Sequence, residues 1–316
     1  MTNPQRVLVT GGAGFIGWRC SRNLAGAGAR VLIADNLSVG MPMPSIEACE
    51  TREIDIRDKD GMMELVGDFK PDTIVHLAAI HHIPTCERQR AYALDVNVVG
   101  TENILDAAEK AGVGTVVLAS SGAVYDWVDA PLDENATKTW PCDNYALSKL
   151  TNESQLRFWA ERTGGRGRVA RIFNTIGHDD PNAHLIPDIL NQLYNAKGQA
   201  RIALGNLKPR RDYIHAEDTA SGVAALADDI GEANFDVMNV GSGKDASVEE
   251  LVRLIGAAMK VDIEIVEDKE RVRRVDRATQ LAKVDKIGNR LGWSAKIGLP
   301  AAVTDIVARF PFKKAG

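Results

Sequence analysis

The chain has 316 residues, 45% hydrophobic and 26% charged, with a formal net charge of −5. That is apolar material for one large or two modest domains, and the acidic balance gives no basic field for nucleic acid. No apolar run approaches the ~18 residues of a membrane span and no charged-then-apolar leader opens the sequence, so a soluble cytoplasmic protein is expected, with no membrane partner. The cysteines, Cys20, Cys49, Cys86 and Cys142, are scattered without CxxC spacing. They read as reduced thiols rather than a disulfide framework or a zinc site.

Val7-Leu8-Val9 is a short apolar run, read as a buried strand. It breaks into Thr10-Gly11-Gly12-Ala13-Gly14-Phe15-Ile16-Gly17, and apolar residues from Phe15 to Leu24 take helical spacing. Gly11, Gly14 and Gly17 fall at GxxGxxG spacing. The first glycine permits a tight turn, the second lets backbone approach a pyrophosphate, and the third lets helix and strand pack closely. Such a turn can also simply join a strand to a helix. A second strand, Arg30 to Ala34, ends in Asp35, about 20 residues on, where a carboxylate would grip ribose hydroxyls. That acid repels a 2′-phosphate, so the expected cofactor is NAD rather than NADP.

The next expected elements are a strand over Arg52–Ile56, a helix opened by Asp58 and Asp60 and running to Phe69, and a strand over Thr73–Leu77. Small residues Ala78 and Ala79 follow, suited to lie against a cofactor. A long helix is predicted over about Glu87–Ala111, with Asn97 in its middle, then a strand over Thr115–Ala119 ending in Ser120-Ser121. A helix over about Asp143–Thr163 and a strand over Arg168–Phe173 complete the first half. Alternation of apolar strands and helices predicts an α/β fold, a doubly wound (Rossmann) parallel sheet with ligands at the C-terminal strand ends. Beyond Asn174 loops lengthen. Helices are expected near Leu185–Asn195, His215–Ala227 and Ser247–Met259, the last with a Ser247/Glu250 capping box, and a short one from Pro300. Phe235–Val240 reads as a strand that returns to the sheet. Arg271, Arg273, Arg274 and Arg277 stand close together. The expected division is a cofactor domain over 1–173, with returns near 212–240, and a smaller C-terminal substrate-binding lobe over 174–211 and 241–316.

Tyr145-Ala-Leu-Ser-Lys149 opens a predicted helix, which stacks Tyr145 and Lys149 one turn apart. In isolation this is an ordinary amphipathic helix; after a dinucleotide turn and a strand ending in Ser121 it reads as acid–base chemistry. A phenol with pKa of about 10 is about one part in a thousand ionised at neutral pH. A nearby ammonium and a positive nicotinamide would favour the phenolate, and reaching pKa ~7 takes about 4 kcal/mol. His81-His82 with Cys86 suggests a metal only weakly, because neighbouring side chains on an extended segment point apart, so none is expected.

The glycine turn, Asp35-Asn36-Leu37-Ser38, His76-Leu77-Ala78-Ala79, Asn97-Val-Val-Gly-Thr101, Ser120-Ser-Gly-Ala-Val-Tyr125 and the YxxxK resemble the extended short-chain dehydrogenase/reductase family. Arg171-Ile-Phe-Asn174, Arg210-Arg-Asp-Tyr-Ile-His215 and Asn239-Val-Gly-Ser-Gly243 resemble its nucleotide-sugar branch, and the similarity runs from about Arg6 to Trp293. The resemblance implies a catalytic trio of Ser121, Tyr145 and Lys149, with Tyr145 the acid/base. It implies cofactor contacts from Gly11, Gly14, Phe15, Ile16, Gly17, Asp35, Asn36, Asp55, Ile56, Leu77, Ala78, Ala79, Asn97, Tyr145, Lys149 and Phe173. Substrate contacts are implied for His81, Ser121, Tyr145, Asn174, His184, Leu185, Arg211, Tyr213 and Arg273, the two arginines gripping a diphosphate. Loop capping is an equal reading for His184, and a solvated basic face an alternative for Arg273.

Within the branch, 4,6-dehydratases place an Asp-Glu pair after the strand-end Ser/Thr and decarboxylases a Glu where Ala123 stands. Gly122 and Ala123 carry no acid, so the sequence is most similar to the UDP-galactose 4-epimerases, which act on a UDP-sugar with bound NAD as homodimers. A 4-keto-sugar reductase or a non-catalytic binder on the same fold are the alternatives. Asp126 stands where a Gly is usual, His81-His82 where a Lys or Gln is usual, and Gln280 near the position that limits sugar substituents.

Overall fold

The computed structural model describes residues 5–39, 41–181, 184–268 and 277–310. In chain order its strands are β1 (Arg6–Thr10), β2 (Arg30–Asp35), β3 (Cys49–Glu53), β4 (Thr73–His76), β5 (Thr115–Ser121), β6 (Arg166–Ile172), β7 (Asn174–Ile176), β8 (Gly198–Leu204), β9 (Arg210–His215), β10 (Phe235–Val240), β11 (Asp245–Ser247), β12 (Val261–Glu267) and β13 (Thr279–Gln280). The α-helices are α1 (Gly17–Gly26), α2 (Lys59–Phe69), α3 (Ile83–Arg88), α4 (Arg90–Leu94), α5 (Gly100–Ala111), α6 (Asn144–Thr163), α7 (Leu185–Gln192), α8 (Ala216–Ala227), α9 (Val248–Met259), α10 (Asp285–Leu291) and α11 (Leu299–Arg309).

Seven strands form one parallel sheet in the order β10-β6-β5-β4-β1-β2-β3. The doubly wound expectation holds, and Phe235–Val240 returns to the sheet beside β6 as expected. Side chains alternate between its faces. Leu8, Leu32, Ile74, Val116, Leu118 and Val169 join residues of α2, α5 and α6 in one core. Val7, Val9, Ile33, Val75, Val117 and Met238 join α1, α8 and α10 in a second, through Cys20, Val223 and Ile287. A third core, with Ile189, Leu204, Leu251, Ile255 and Ile306, lies among α7, β8, α9 and α11.

Two expectations are corrected. The third strand is Cys49–Glu53, not Arg52–Ile56, with Val31 opposite Cys49 and Asp35 opposite Glu53. The apolar pair Ile54 and Ile56 lies just past this exposed edge strand and turns into the core instead. The helix expected over Glu87–Ala111 is broken at Gln89, and residues Asp95–Val99 form a π-turn before α5. That turn points the Asn97 amide inward: it accepts from the Ile80 amide (2.8 Å) and donates to the Ile80 carbonyl and Ser148 Oγ (3.0 Å each).

A buried ionic cluster fastens α6 to the sheet. Arg171 of β6 makes a two-pronged contact to Glu153 of α6, at 2.9 and 2.7 Å, and Glu153 also accepts from Ser120 Oγ at 2.5 Å. All three side chains are buried. Glu153→Ala strands the guanidinium, so a loss of about 3–5 kcal/mol is expected by urea unfolding, while replacing both partners with Leu and Met recovers most of it.

Candidate active site

Strand order reverses between β1 and β4, the place where doubly wound sheets bind ligands. A cavity of about 1600 Å³ opens there and extends under the C-terminal lobe. It exceeds the ~300–1,000 Å³ that holds one drug-sized ligand, and so has room for a dinucleotide and a second ligand together.

The β1–α1 turn builds one end. Gly11 has φ +69° and lies so close to β4's exit that a Cβ there would sit 2.6 Å from the Ala78 amide nitrogen. A Cβ on Gly17 would sit 2.1 Å from the Gly11 carbonyl oxygen. Gly11, Gly14 and Gly17 line the cavity, and no side chain caps α1, leaving its first amides for an anion. Asp35 lines it too, its carboxylate oriented by the Ala13 and Leu37 amides at 3.0 and 2.8 Å. A dinucleotide fits this cradle. Gly17→Ala should abolish retained dinucleotide and cost several kcal/mol of stability by thermal unfolding. Gly67→Ala, on α2 with nothing near its Cβ, should add up to about 1 kcal/mol.

Phe15, Ile16, Asn36, Ile56, Leu77, Ala78, Ala79 and Phe173 also line the cavity. Two expected cofactor contacts do not. The Asp55 carboxylate is taken by Arg57 and Asn36, and the Arg57 hydrogen bonds pull it down to about 2. Asn97 is 1% exposed and supports the Ile80 backbone from behind.

Ser121 ends β5, and Tyr145 and Lys149 lie in the first turns of α6, whose start is fixed by Asp143 accepting from the Ala146 amide at 2.7 Å. All three line the cavity, and the nearby Ser121 side chain opposes the effect of burial on the Tyr145 phenol. Lys149 is buried and its Nζ donates to the Ala119 carbonyl at 2.8 Å. Nζ is 5.9 Å from the Tyr145 ring centre. Without the cofactor, burial raises the Tyr145 phenol to about 12 and lowers Lys149 to about 8. At neutral pH both therefore keep their protons.

The lobe supplies the opposite wall. Asn174, His184, Leu185, Arg211 and Tyr213 line the cavity, whereas Arg273 falls outside the described residues. His81 is reachable from solvent yet crowded by the cavity walls, and burial with repulsion from His184 lowers it to about 4. The rings of His81 and His82 do not point apart: both lie near His184, at 6.0 and 6.1 Å. The segment is no strand there, because His82 turns into α3 and contacts Thr85 Oγ1 at 2.9 Å. His184 stands at the N-cap of α7, but its side chain does not cap the helix; Nδ1 pairs with Asp180 at 2.7 Å instead. Among the described residues no group of three His, Cys, Asp or Glu is arranged for a metal ion.

Sequence reasoning missed Arg277. It stood in a run of arginines that reads as a solvated face, yet it is only 7% exposed and lines the cavity beside Gln280. Residue spacing carries no signal for this, since burial of position 277 depends on β13 docking beside β9.

The profile of the NAD dependent epimerase/dehydratase family matches residues 7–241. GDP-6-deoxy-D-mannose reductase of Pseudomonas aeruginosa is 30% identical over 311 residues, covering 96% of each chain. UDP-glucose 4-epimerase of Rhizobium meliloti is 30% identical over 315 residues, covering 95% of this chain and 94% of that one. The solved UDP-glucose 4-epimerase of Brucella ovis in complex with NAD superposes with a TM-score of 0.86 at 26% identity, covering 98% of this chain and 99% of that one. The chain thus belongs to the NAD-dependent epimerase/dehydratase family of enzymes, whose cofactor is NAD.

Proposed function

We propose that the protein is a nucleotide-sugar 4-epimerase acting on a UDP-hexose type of substrate. The observation that carries this is the convergence of Ser121, Tyr145 and Lys149 on one cavity wall, with no acid at Gly122 or Ala123 for elimination. NAD supplies a reversible hydride acceptor when bound. Ser121 and the Tyr145 phenolate hold the sugar 4-hydroxyl, whose proton passes to the Tyr145 oxygen as C4 is oxidised. The 4-keto sugar turns over in the cavity, is reduced on its other face, and recovers its proton from Tyr145, so the phenolate is restored. Arg211, together with Arg273 by the resemblance, holds the diphosphate, with Asn174 on the same side. His81, Leu185 and Tyr213 border the substrate. Incubating purified protein with UDP-sugars and no added cofactor should give the C4 epimer by NMR; no epimer with any sugar would overturn the reading.

A second reading, a nucleotide 4-keto-sugar reductase, is favoured by the similarity to the Pseudomonas reductase. It uses the same trio but consumes NADH each turnover. A 4-keto sugar with NADH, followed at 340 nm, separates the two.

The reading includes a homodimer. Leu147 and Phe158 are exposed by 45% and 51%, three turns apart on α6, near Val99, 50% exposed at the start of α5. Leu147→Glu with Phe158→Glu should halve the mass seen by light scattering; an unchanged mass would refute this face as the contact.

A further inference from the structure

We infer that the sugar end of the cavity is built for an acidic sugar, a nucleoside-diphosphate uronic acid, whose carboxylate Arg277 and Gln280 receive beside Ser121. This rests on the reading of the cavity as a nucleotide-sugar site and deepens it.

The Arg277 guanidinium donates to the carbonyls of Gly122 (3.5 Å) and Tyr125, in the segment that leaves Ser121. Its carbon lies 5.6 Å from the Trp127 ring. Gln280 comes to the same spot from β13: a Cβ on Gly122 would sit 3.1 Å from Gln280 Nε2 and 3.1 Å from the Phe173 ring. Two donor-bearing side chains thus converge over a residue without a side chain, one position past Ser121. Glycine leaves them reachable from the cavity.

The charge balance points the same way. Among the described residues Arg277 has no ion pair with a carboxylate. The nearby acids favour its charge without pairing with it: Asp126 accepts from the Trp127 amide at 2.7 Å, and Asp143 caps α6. Burial and the neighbouring Arg211 pull Arg277 down to about 10, as expected of a cation without its anion. A buried cation is costly unless paired, and a guanidinium meets a carboxylate with two parallel hydrogen bonds. In the nucleotide-sugar reading Arg211 takes the diphosphate, its guanidinium donating to the Arg277 carbonyl at 2.8 Å. What remains at Ser121 is the sugar, and a charged substituent there supplies the missing anion.

Calorimetry on the NAD-loaded protein with UDP-glucose and UDP-glucuronic acid tests this. Wild type should bind the uronate at least about tenfold more tightly, Arg277→Gln should bring the ratio near one, and Arg277→Lys should keep part of it. Equal or weaker binding of the uronate by wild type, which needs no variant to fold, would overturn the inference. So would an Arg277→Gln protein that melts normally and weakens both sugars alike, since Arg277 would then only brace the Gly122–Tyr125 segment. NMR of the same mixtures keeps the two readings apart: a uronate preference without C4 epimer supports the acidic subsite and contradicts the epimerase.

Discussion

Tyr145→Phe should lower turnover by about 10²–10⁴-fold while leaving substrate affinity and melting temperature close to wild type. In the proposed reaction the Tyr145 hydroxyl exchanges a proton with a sugar oxygen at Ser121, and its loss removes a proton path rather than a packing surface. Because burial holds the free phenol at about 12, making the base at neutral pH takes about five pKa units, or about 7 kcal/mol, from charges assembled around it. Lys149 alone does not supply this, since its ammonium donates to the Ala119 carbonyl and is itself pulled down to about 8. The Tyr145 phenol of the NAD-loaded protein, titrated by its absorbance near 295 nm against Tyr145→Phe, should therefore ionise at lower pH than that of the cofactor-free protein.

Lys149→Met should stabilise the cofactor-free protein at pH 7 by about 1–3 kcal/mol even as it abolishes activity. The native ammonium titrates at about 8 against about 10.4 in the unfolded chain. Below pH 8 both states carry the proton, and the native state bears the full cost of burying it, about 3 kcal/mol. Between pH 8 and 10.4 the native state releases its proton first, so wild-type stability rises with pH and the advantage of the Met variant shrinks. Above that range only packing and the lost hydrogen bond to Ala119 distinguish them. Urea unfolding at pH 7 and pH 10 measures both terms; a Met variant less stable at pH 7 would show that the ammonium is better solvated than its burial implies.

The cofactor end of the site was legible because its requirements are local. Gly11 and Gly17 serve close approaches within one turn, and Asp35 sits at the end of the adjacent strand, so spacing alone carries the signal. Short apolar runs alternating with helices showed the sheet for the same reason, and Leu8 and its neighbours Val7 and Val9 pack on its two faces. For Asp55 and Asn97 the sequence shows the positions but not the partners, Arg57 and Ile80, which lie outside any local spacing rule. The lobe was less legible. Gly198–Leu204 and Val261–Glu267 pair as parallel strands across more than fifty intervening residues, and the alternation of Val261, Ile263 and Ile265 with Asp262 and Glu264 carries no sign of so distant a partner. Arg277 was hidden because a basic run looks alike whether solvated or folded into a wall.

The central claim is that hydride leaves and returns at one carbon while Tyr145 carries the proton. A UDP-sugar labelled with deuterium at C4, incubated with the protein in ordinary water and without added NADH, tests it most directly. NMR of the product should find the label still at C4 of the epimer. An epimer with protium at C4 would mean exchange of that hydrogen with solvent and would contradict the account.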